Sequence, residues 1–337
     1  MDSITHIALG AVVGEAIAGK SLGKRAMYFG ALAQSIPDID FVASFFLSPA
    51  DNLLAHRGIT HSFLFGIAVT VVLAYAGRQT HKPLQIPLRT WLIFFGTEIL
   101  LHLLLDACNA YGVGWLEPFS DKRFSFHILF VADPFYSIWV GISTLVLIYM
   151  DSKNRKRRFW IAFGLIGSSV YFVHALTNKL IVERDVRAAL ESQSIPHTRL
   201  LTTPTPINSW LWYCVAEHDN GYAIGYRSRW DDADSITFTY FPRQKELLGP
   251  FQQSHDAQQL LKFSQGFYTL EKWEGDLVIF NDLRFGQIAG WSDPKAPFVF
   301  HYYLNDSKAN LLVIQRGRFS NWNRQTFNSM IQRIKGN

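Results

Sequence analysis

The chain has 337 residues, of which 49% are hydrophobic and 18% charged, with a net charge of +5 and a pI ≈ 9.1. The basic balance does not signify nucleic acid, because the clearest basic cluster, Lys153 to Arg158, is a short loop between two apolar runs. A Gly-rich phosphate loop, a Ser nucleophile elbow and a Cys-rich zinc pattern are all absent, which excludes the enzyme classes that depend on them.

The mean hydropathy of +0.07 averages two different halves. Up to about Leu180, apolar runs alternate with short basic or Gly/Pro loops; beyond it, charge, Asn/Gly turns and alternating patterns dominate. The expected architecture is a membrane α-helical bundle, residues 1–178, followed by a soluble extracytoplasmic α+β domain with an antiparallel sheet, residues 179–337.

In chain order, Ile4 to Ala18 is apolar but contains His6 and Glu15 and lacks a basic n-region or a cleavage site. It reads as a retained helix packed inside the bundle. Candidate spans follow at Ala26–Phe46, Ser62–Ala76, Trp91–Leu105, Phe126–Met150 and Phe159–Leu176, against a full crossing of roughly 20 residues. Asp133 and Pro134 read as an N-cap and first-turn proline. Lys153 to Arg158, next to spans, marks the cytoplasmic side; the basic residues of Gly77–Thr90 and those at Lys20, Lys24 and Arg25 then fall on the same side.

One consequence of that topology is that "PDID" (Pro37 to Asp40), "HRGITH" (His56 to His61) and "HLLLD" (His102 to Asp106) converge near the outer face, with His6 beside them. Ionisable side chains in or near a bilayer are costly unless paired, so such a cluster is a functional candidate. His102 and Asp106 are four apart and share a helical face; Glu98 extends the stripe by another turn as a ligand, a supporting group or an acid/base. Pro37 weakens its helix and lets Asp38 and Asp40 turn toward one point, while Gly58 permits a tight turn between His56 and His61. His6, Asp38, Asp40, His56, His61, His102 and Asp106 thus form a mixed nitrogen and oxygen donor set. It suits a divalent metal, zinc first, with manganese or iron as alternatives. The competing reading is a buried polar network that holds helices together.

The segments "MDSITHIALG", "IPDID", "HRGITHS", "LHLLLDACNAYG", "PFSDKRF" and "ADPFYS" resemble the YdjM family of bacterial inner-membrane, metal-dependent hydrolases. The likeness covers about the first 150 residues with its motifs in order, and "FNDLRFG" (Phe280 to Gly286) is similar to an extra domain of longer relatives. The resemblance implies membership of an inner-membrane family and a metal-dependent hydrolytic activity.

A metal hydrolase acting on an anion needs cations, and Arg57, Lys122 and Arg123 are the basic residues expected near the cluster, with Arg57 and Arg123 as substrate contacts. Headgroup contact explains Lys122 and Arg123 equally well. His127 and His174 stand in apolar contexts and read as core residues. Cys108 and Cys214 are either a disulfide or two buried thiols. In the second half, a helical stalk (Lys179–Ser192) precedes a hairpin with Asn220 and Gly221 at its turn. Further strands are expected at Ser235–Phe241, Gly275–Asn281, Pro297–Leu304 and Leu311–Gln315, with helices at His255–Ser264 and Asn321–Lys335. Trp210, Trp212, Tyr222 and Tyr226 supply either a core or a groove.

Two functions follow. One is a membrane-embedded metal-dependent hydrolase at the outer face of the inner membrane, acting on a membrane lipid or lipid-linked phosphoester. The other is a non-enzymatic envelope protein whose cluster fixes packing or binds headgroups while the outer domain recruits a partner. The topology is testable in spheroplasts: a membrane-impermeant thiol reagent is expected to modify cysteines placed in the Asn109 loop and at Asn337, and to spare Lys156→Cys until lysis. The reverse pattern would put the cluster on the cytoplasmic face.

Overall fold

The computed structural model describes residues 1–232, 236–273, 275, 277–305, 310 and 322–336. They divide into a first unit, Met1–Phe46, Ala55–Phe126 and Val131–His174, and a second, Leu47–Leu54, His127–Phe130 and Ala175–Asn337.

In the first unit, α1 (Ser3–Leu22) starts where the Asp2 carboxylate accepts from the Thr5 amide and stops at Gly23, whose φ of 59° suits a residue without a Cβ. α2 (Arg25–Ser35) folds back on it at very close range. A Cβ on Gly10 would run into the Gly30 carbonyl oxygen, and one on Gly14 into that of Ala26. Small residues are the usual means by which apolar helices approach in a membrane, where burial from water supplies no drive. Here the contact sets His6, one turn before Gly10, beside Gln34, one turn after Gly30. Most of α1 is buried, including His6 and Glu15, as befits a helix inside the bundle.

The span expected over Ala26–Phe46 is divided. Pro37 has no amide to continue the α ladder, Ile39 bonds back to the Ile36 carbonyl, and a 3-10 segment runs over Pro37–Phe45. A short α3 (Pro49–Ala55) follows in the chain and belongs, except for Ala55, to the second unit. α4 (Phe63–Thr80) is capped by Ser62, whose hydroxyl accepts from the Phe65 amide, and α5 (Leu88–Asp106) packs along it. Residues 107–133 are irregular, with one bridge between Val113 and Phe124. The helix expected from Phe126 therefore starts only at α6 (Pro134–Tyr149), where the Asp133 carboxylate caps the amides of Phe135 and Tyr136. α7 (Arg157–Ser192) joins the last expected span and the stalk in one helix of 36 residues. Among the described residues α4, α5 and α7 are long and apolar enough to cross a membrane, and α6 is a shorter apolar helix.

The second unit holds two antiparallel sheets: β1 (Leu200–Pro204), β2 (Leu211–His218), β3 (Gly221–Ser228) and β4 (Thr239–Pro242) in that order, then β5 (Tyr268–Lys272), β6 (Val278–Gln287) and β7 (Phe298–Tyr303). Two helices, α8 (His255–Phe263) and α9 (Arg324–Ile334), accompany them. The β2–β3 hairpin turns one residue earlier than expected: His218 pairs with Gly221, and Asp219 takes the positive φ of 48°. Gly221 serves close approach instead, since a Cβ there would strike the Phe241 carbonyl oxygen.

Trp212 and Tyr222 are core residues, and Tyr226 packs against the core. Cys108 and Cys214 are buried free thiols. In "FNDLRFG", Asp282 and Arg284 form a fully buried ion pair at 2.6 Å, with the guanidinium over the Phe263 ring. The strand expected at Leu311–Gln315 lies outside the described residues, as do Ser235, Asn321 and Asn337.

The α1–α2 contact yields a stability prediction. Gly30→Ala forces the two backbones apart and should cost about 1–3 kcal/mol, read as a lower apparent melting temperature in detergent. Gly141→Ala, where a Cβ meets nothing within 4 Å, should be neutral or slightly stabilising.

Candidate metal centre

α5 holds His102 and Asp106 one turn apart on a buried face, with Glu98 a further turn back; all three are fully buried. The 3-10 segment sends Asp38 and Asp40, two residues apart, in different directions. Asp38 Oδ1 lies 3.6 Å from both His61 Nε2 and His102 Nε2. Asp40 Oδ2 instead accepts from the Arg57 amide at 2.7 Å and faces Nδ1 of His56 at 3.3 Å and Nδ1 of His61 at 3.5 Å. The tight turn before His61 is made at Arg57, with φ 60°, and not at Gly58. The Asp40 carboxylate on the Arg57 amide holds it there.

Asp38, His61, His102 and Asp106 each offer one donor atom, and these four atoms lie within 4.8 Å of one another. His61 Nε2 is 3.1 Å from His102 Nε2 and 3.2 Å from Asp106 Oδ2; His102 Nε2 is 3.5 Å from the same oxygen. Tetrahedral ligands about 2.0–2.1 Å from a zinc-sized ion are about 3.3 Å apart, close to the spacing of the two Nε2 atoms from each other and from the carboxylate oxygens.

The tautomers agree with that geometry. His102 Nδ1 donates to the Gln34 carbonyl at 2.6 Å, an oxygen that can only accept, so its Nε2 turns a lone pair inward. His61 Nδ1 faces Asp40 and Thr60 Oγ1, and His6 Nδ1 donates to Gln34 Oε1 at 3.1 Å. Two imidazole nitrogens 3.1 Å apart, each with its proton on the far side, repel unless a proton or a cation lies between them. Asp106 Oδ2 is buried and has no aligned hydrogen bond, although Arg57 Nε also stands 3.1 Å away. An orphaned carboxylate oxygen among imidazole nitrogens fits a divalent cation.

Asp38, Asp40 and His61 lie outside the spans. Burial pushes the carboxyl groups of Asp38 and Asp40 up, but the histidines bonded to them, His61 and His56 respectively, hold both below the ordinary carboxylate range. Burial alone would lower His61; its bonds to Asp106 and Asp38 raise it instead. Both carboxylates are therefore ionised, Asp38 toward the four-donor set and Asp40 toward the outer nitrogens of His56 and His61.

The other expected residues surround these four. His6 stacks on His102 with ring centroids 3.9 Å apart and reaches Asp106 Oδ1 with Nε2 at 3.1 Å. The Met1 amino group also contacts Asp106 Oδ1. His56 is 40% exposed at the rim and is held by Asp40. Arg57 is buried against Asp106, donates to Asn109 Oδ1 at 2.7 Å and to the Met1 carbonyl, and lies over the Tyr111 ring. Arg123 donates to the carbonyls of His56 at 2.7 Å and Gly112 at 3.0 Å, bracing the loop that carries the histidines. Glu98 stands behind the cluster, accepting from Gln34 Nε2 at 3.2 Å. Lys122 is exposed, with its ammonium 5.2 Å from the Phe124 ring centroid.

Gln34 and Asn109 were not singled out from the sequence. Gln34 contacts His6, His102 and Glu98 together, and its signal was present: a polar residue in an apolar run, four before Asp38.

Comparison with known proteins shows the family. A family model described as YdjM inner membrane protein matches residues 1–181. The inner membrane protein YbcI of Escherichia coli (strain K12) is 35% identical over 123 residues, 36% of this chain and 69% of that protein. The uncharacterized protein YfhP of Bacillus subtilis (strain 168) is 30% identical over 302 residues, 85% of this chain and 87% of that one. No solved structure matches significantly. The match over the whole first unit, together with the relatives' extent and identity, means that this chain belongs to the YdjM family of inner membrane proteins.

Proposed function

We propose that the chain is a membrane-embedded, metal-dependent hydrolase whose centre opens at the outer face of the inner membrane and acts on a lipid or lipid-linked phosphoester. The observation that carries this reading is the set of distances, 3.1 to 3.6 Å, from the two imidazole Nε2 atoms of His61 and His102 to each other and to Asp38 and Asp106, with all four donors within 4.8 Å. These residues would hold zinc, or manganese or iron in its place, because two imidazoles and two carboxylates suit those ions better than magnesium or calcium. Such an ion supplies an activated water and a Lewis acid for the oxygen that takes on charge.

The chain's own residues do the rest. The Gln34 carbonyl and Asp40 fix the outward protons of His102 and His61, so that both Nε2 atoms face the centre. Arg57 balances Asp106 from inside, and Glu98 acts as a positioning residue through Gln34. Asp38, with 20% of its side chain exposed, marks the side from which water and substrate arrive. His56, half-exposed and oriented by Asp40, is placed to take or give a proton at the rim. Exposed Ile39, Phe41 and Phe45 on the 3-10 segment and Ile59 on the His61 turn give that rim an apolar surface, which suits a substrate with acyl chains.

One observation favours the non-enzymatic reading: Arg57 and Arg123, the expected clamps, spend hydrogen bonds on internal acceptors. Under that reading, substitutions in the cluster lower folded yield and have no chemical phenotype.

Two measurements decide. Protein purified without chelator is expected to carry about one metal ion per chain; His102→Ala and Asp106→Ala should lose it, and Asp40→Ala should weaken affinity by about 10–100-fold. Substoichiometric metal in the native protein, unchanged by His102→Ala, would contradict the reading. For turnover, inner-membrane lipid extract incubated with the protein in ¹⁸O-labelled water should give a metal-dependent ¹⁸O-labelled product. His61→Ala should fold and abolish it; no ¹⁸O incorporation with the metal-loaded native protein would leave the envelope-protein reading standing.

A further inference from the structure

A second polar site lies at the other end of the first unit. Glu15 is nine residues after His6 on α1, about 13 Å along the axis at 1.5 Å per residue. Its Oε1 accepts from Arg157 Nε at 2.7 Å, and Arg157 also donates to the carbonyls of Leu147 and Met150, each at 2.8 Å. Arg157 thus spends its charge inside the fold. Glu15 Oε2, on a residue only 7% exposed, has no hydrogen-bond partner.

That carboxylate lines a cleft of ≈ 620 Å³ between the end of α1 and the α6–α7 loop, whose other walls include Lys20, Lys153, Arg155 and Arg158. These four cations are exposed and form no ion pair among the described residues. Asp151, the nearby acid of the loop, is turned to the Lys153 amide at 2.8 Å. A second groove of ≈ 490 Å³ meets the cleft at Asn154; Leu145, Val146, Tyr149 and Met150 form its apolar wall, and Asp151 lies beside Asn154 at its loop end. Leu145 and Tyr149 are 60% and 85% exposed.

We propose that this end of the bundle is a binding site for phosphatidylglycerol. The lipid phosphate takes Lys20, Arg155 and Arg158, a glycerol hydroxyl of the headgroup donates to Glu15 Oε2, and an acyl chain lies along Leu145 and Tyr149. Each part answers a separate feature. Unpaired cations beside membrane-crossing helices select an anionic headgroup, the orphaned carboxylate selects a hydroxyl donor, and the adjoining apolar groove selects a lipid over a free phosphate. Gly19 makes room for the carboxylate, because a Cβ there would fall 2.7 Å from Glu15 Cδ. The site goes beyond the hydrolytic reading and stands independently of it.

The test is lipid retention by the full chain in detergent, read by native mass spectrometry after exchange with phosphatidylglycerol, phosphatidic acid or phosphatidylcholine. Phosphatidylglycerol should be retained about tenfold over phosphatidylcholine and should also exceed phosphatidic acid, which has the charge but no glycerol hydroxyl. Arg155→Gln/Arg158→Gln, at exposed positions that leave the fold intact, should remove the preference over phosphatidylcholine. Leu145→Gln/Tyr149→Gln should lower retention of both anionic lipids. Gly19→Ala should erase only the margin over phosphatidic acid. Equal retention of phosphatidylglycerol and phosphatidylcholine, an unaffected arginine double variant, or parity with phosphatidic acid in the native chain would overturn the proposal. So would displacement by water-soluble glycerophosphoglycerol at the concentration of the lipid, which would make the ligand a free anion.

Discussion

A carboxylate buried in an apolar bundle has to be surrounded by positive or hydrogen-bonding groups, and Asp106 is the one around which the head of the first unit is arranged. It is fully buried at the end of α5. His6 from α1, Arg57 and His61 from the loop before α4, and His102 from α5 itself all point at it from within 3.5 Å. Leaving such a charge uncompensated would cost several kcal/mol, so the helices that carry these partners are drawn to one place. The same crowding leaves Oδ2 without an aligned donor, and that shortfall is what lets the cluster accept a cation.

The partners can reach Asp106 only because α1 and α2 touch through Gly10, Gly14, Ala26 and Gly30. A wider spacing would take Gln34 away from His6 and His102, and with it the acceptors that fix which imidazole nitrogen bears the proton. Backbone packing thus decides tautomer, and tautomer decides whether lone pairs face the centre. Glu15 follows the same rule at the other end of α1. Its compensation by Arg157 is one-sided, and the oxygen left over becomes a point of recognition.

Much of this was readable from residues alone, because the chemistry sits in short, regular spacings. His102 and Asp106 at i and i+4, the two histidines around Arg57 and Gly58, and Pro37 before two aspartates each place polar groups where apolar ones would be expected. Less legible was how the carboxylates divide their work. Asp38 and Asp40 differ only by two positions on a 3-10 turn, yet one faces the donor set and the other the outer nitrogens of His56 and His61. Arg57 looked like a substrate clamp by its charge; its positive φ and buried bonds to Asn109 and Asp106 depend on tertiary neighbours that spacing does not reveal. The helix limits at Ser35 and Pro134 were displaced for a similar reason, since hydropathy continues through residues whose backbone bonds have already changed partner. In the second unit the turn at Asp219 shows the opposite case, in which a glycine that looks like a turn residue is required by the neighbouring strand.

The most direct measurement of the central claim is X-ray absorption spectroscopy of the metal-loaded chain, which reads the atoms around the ion. The expected result is a first shell of nitrogen and oxygen alone at about 2.0–2.2 Å, with the outer-ring scattering of two imidazoles, and no such shell in His102→Ala, which loses the ion. A sulfur scatterer, or an all-oxygen shell that His102→Ala leaves unchanged, would contradict it.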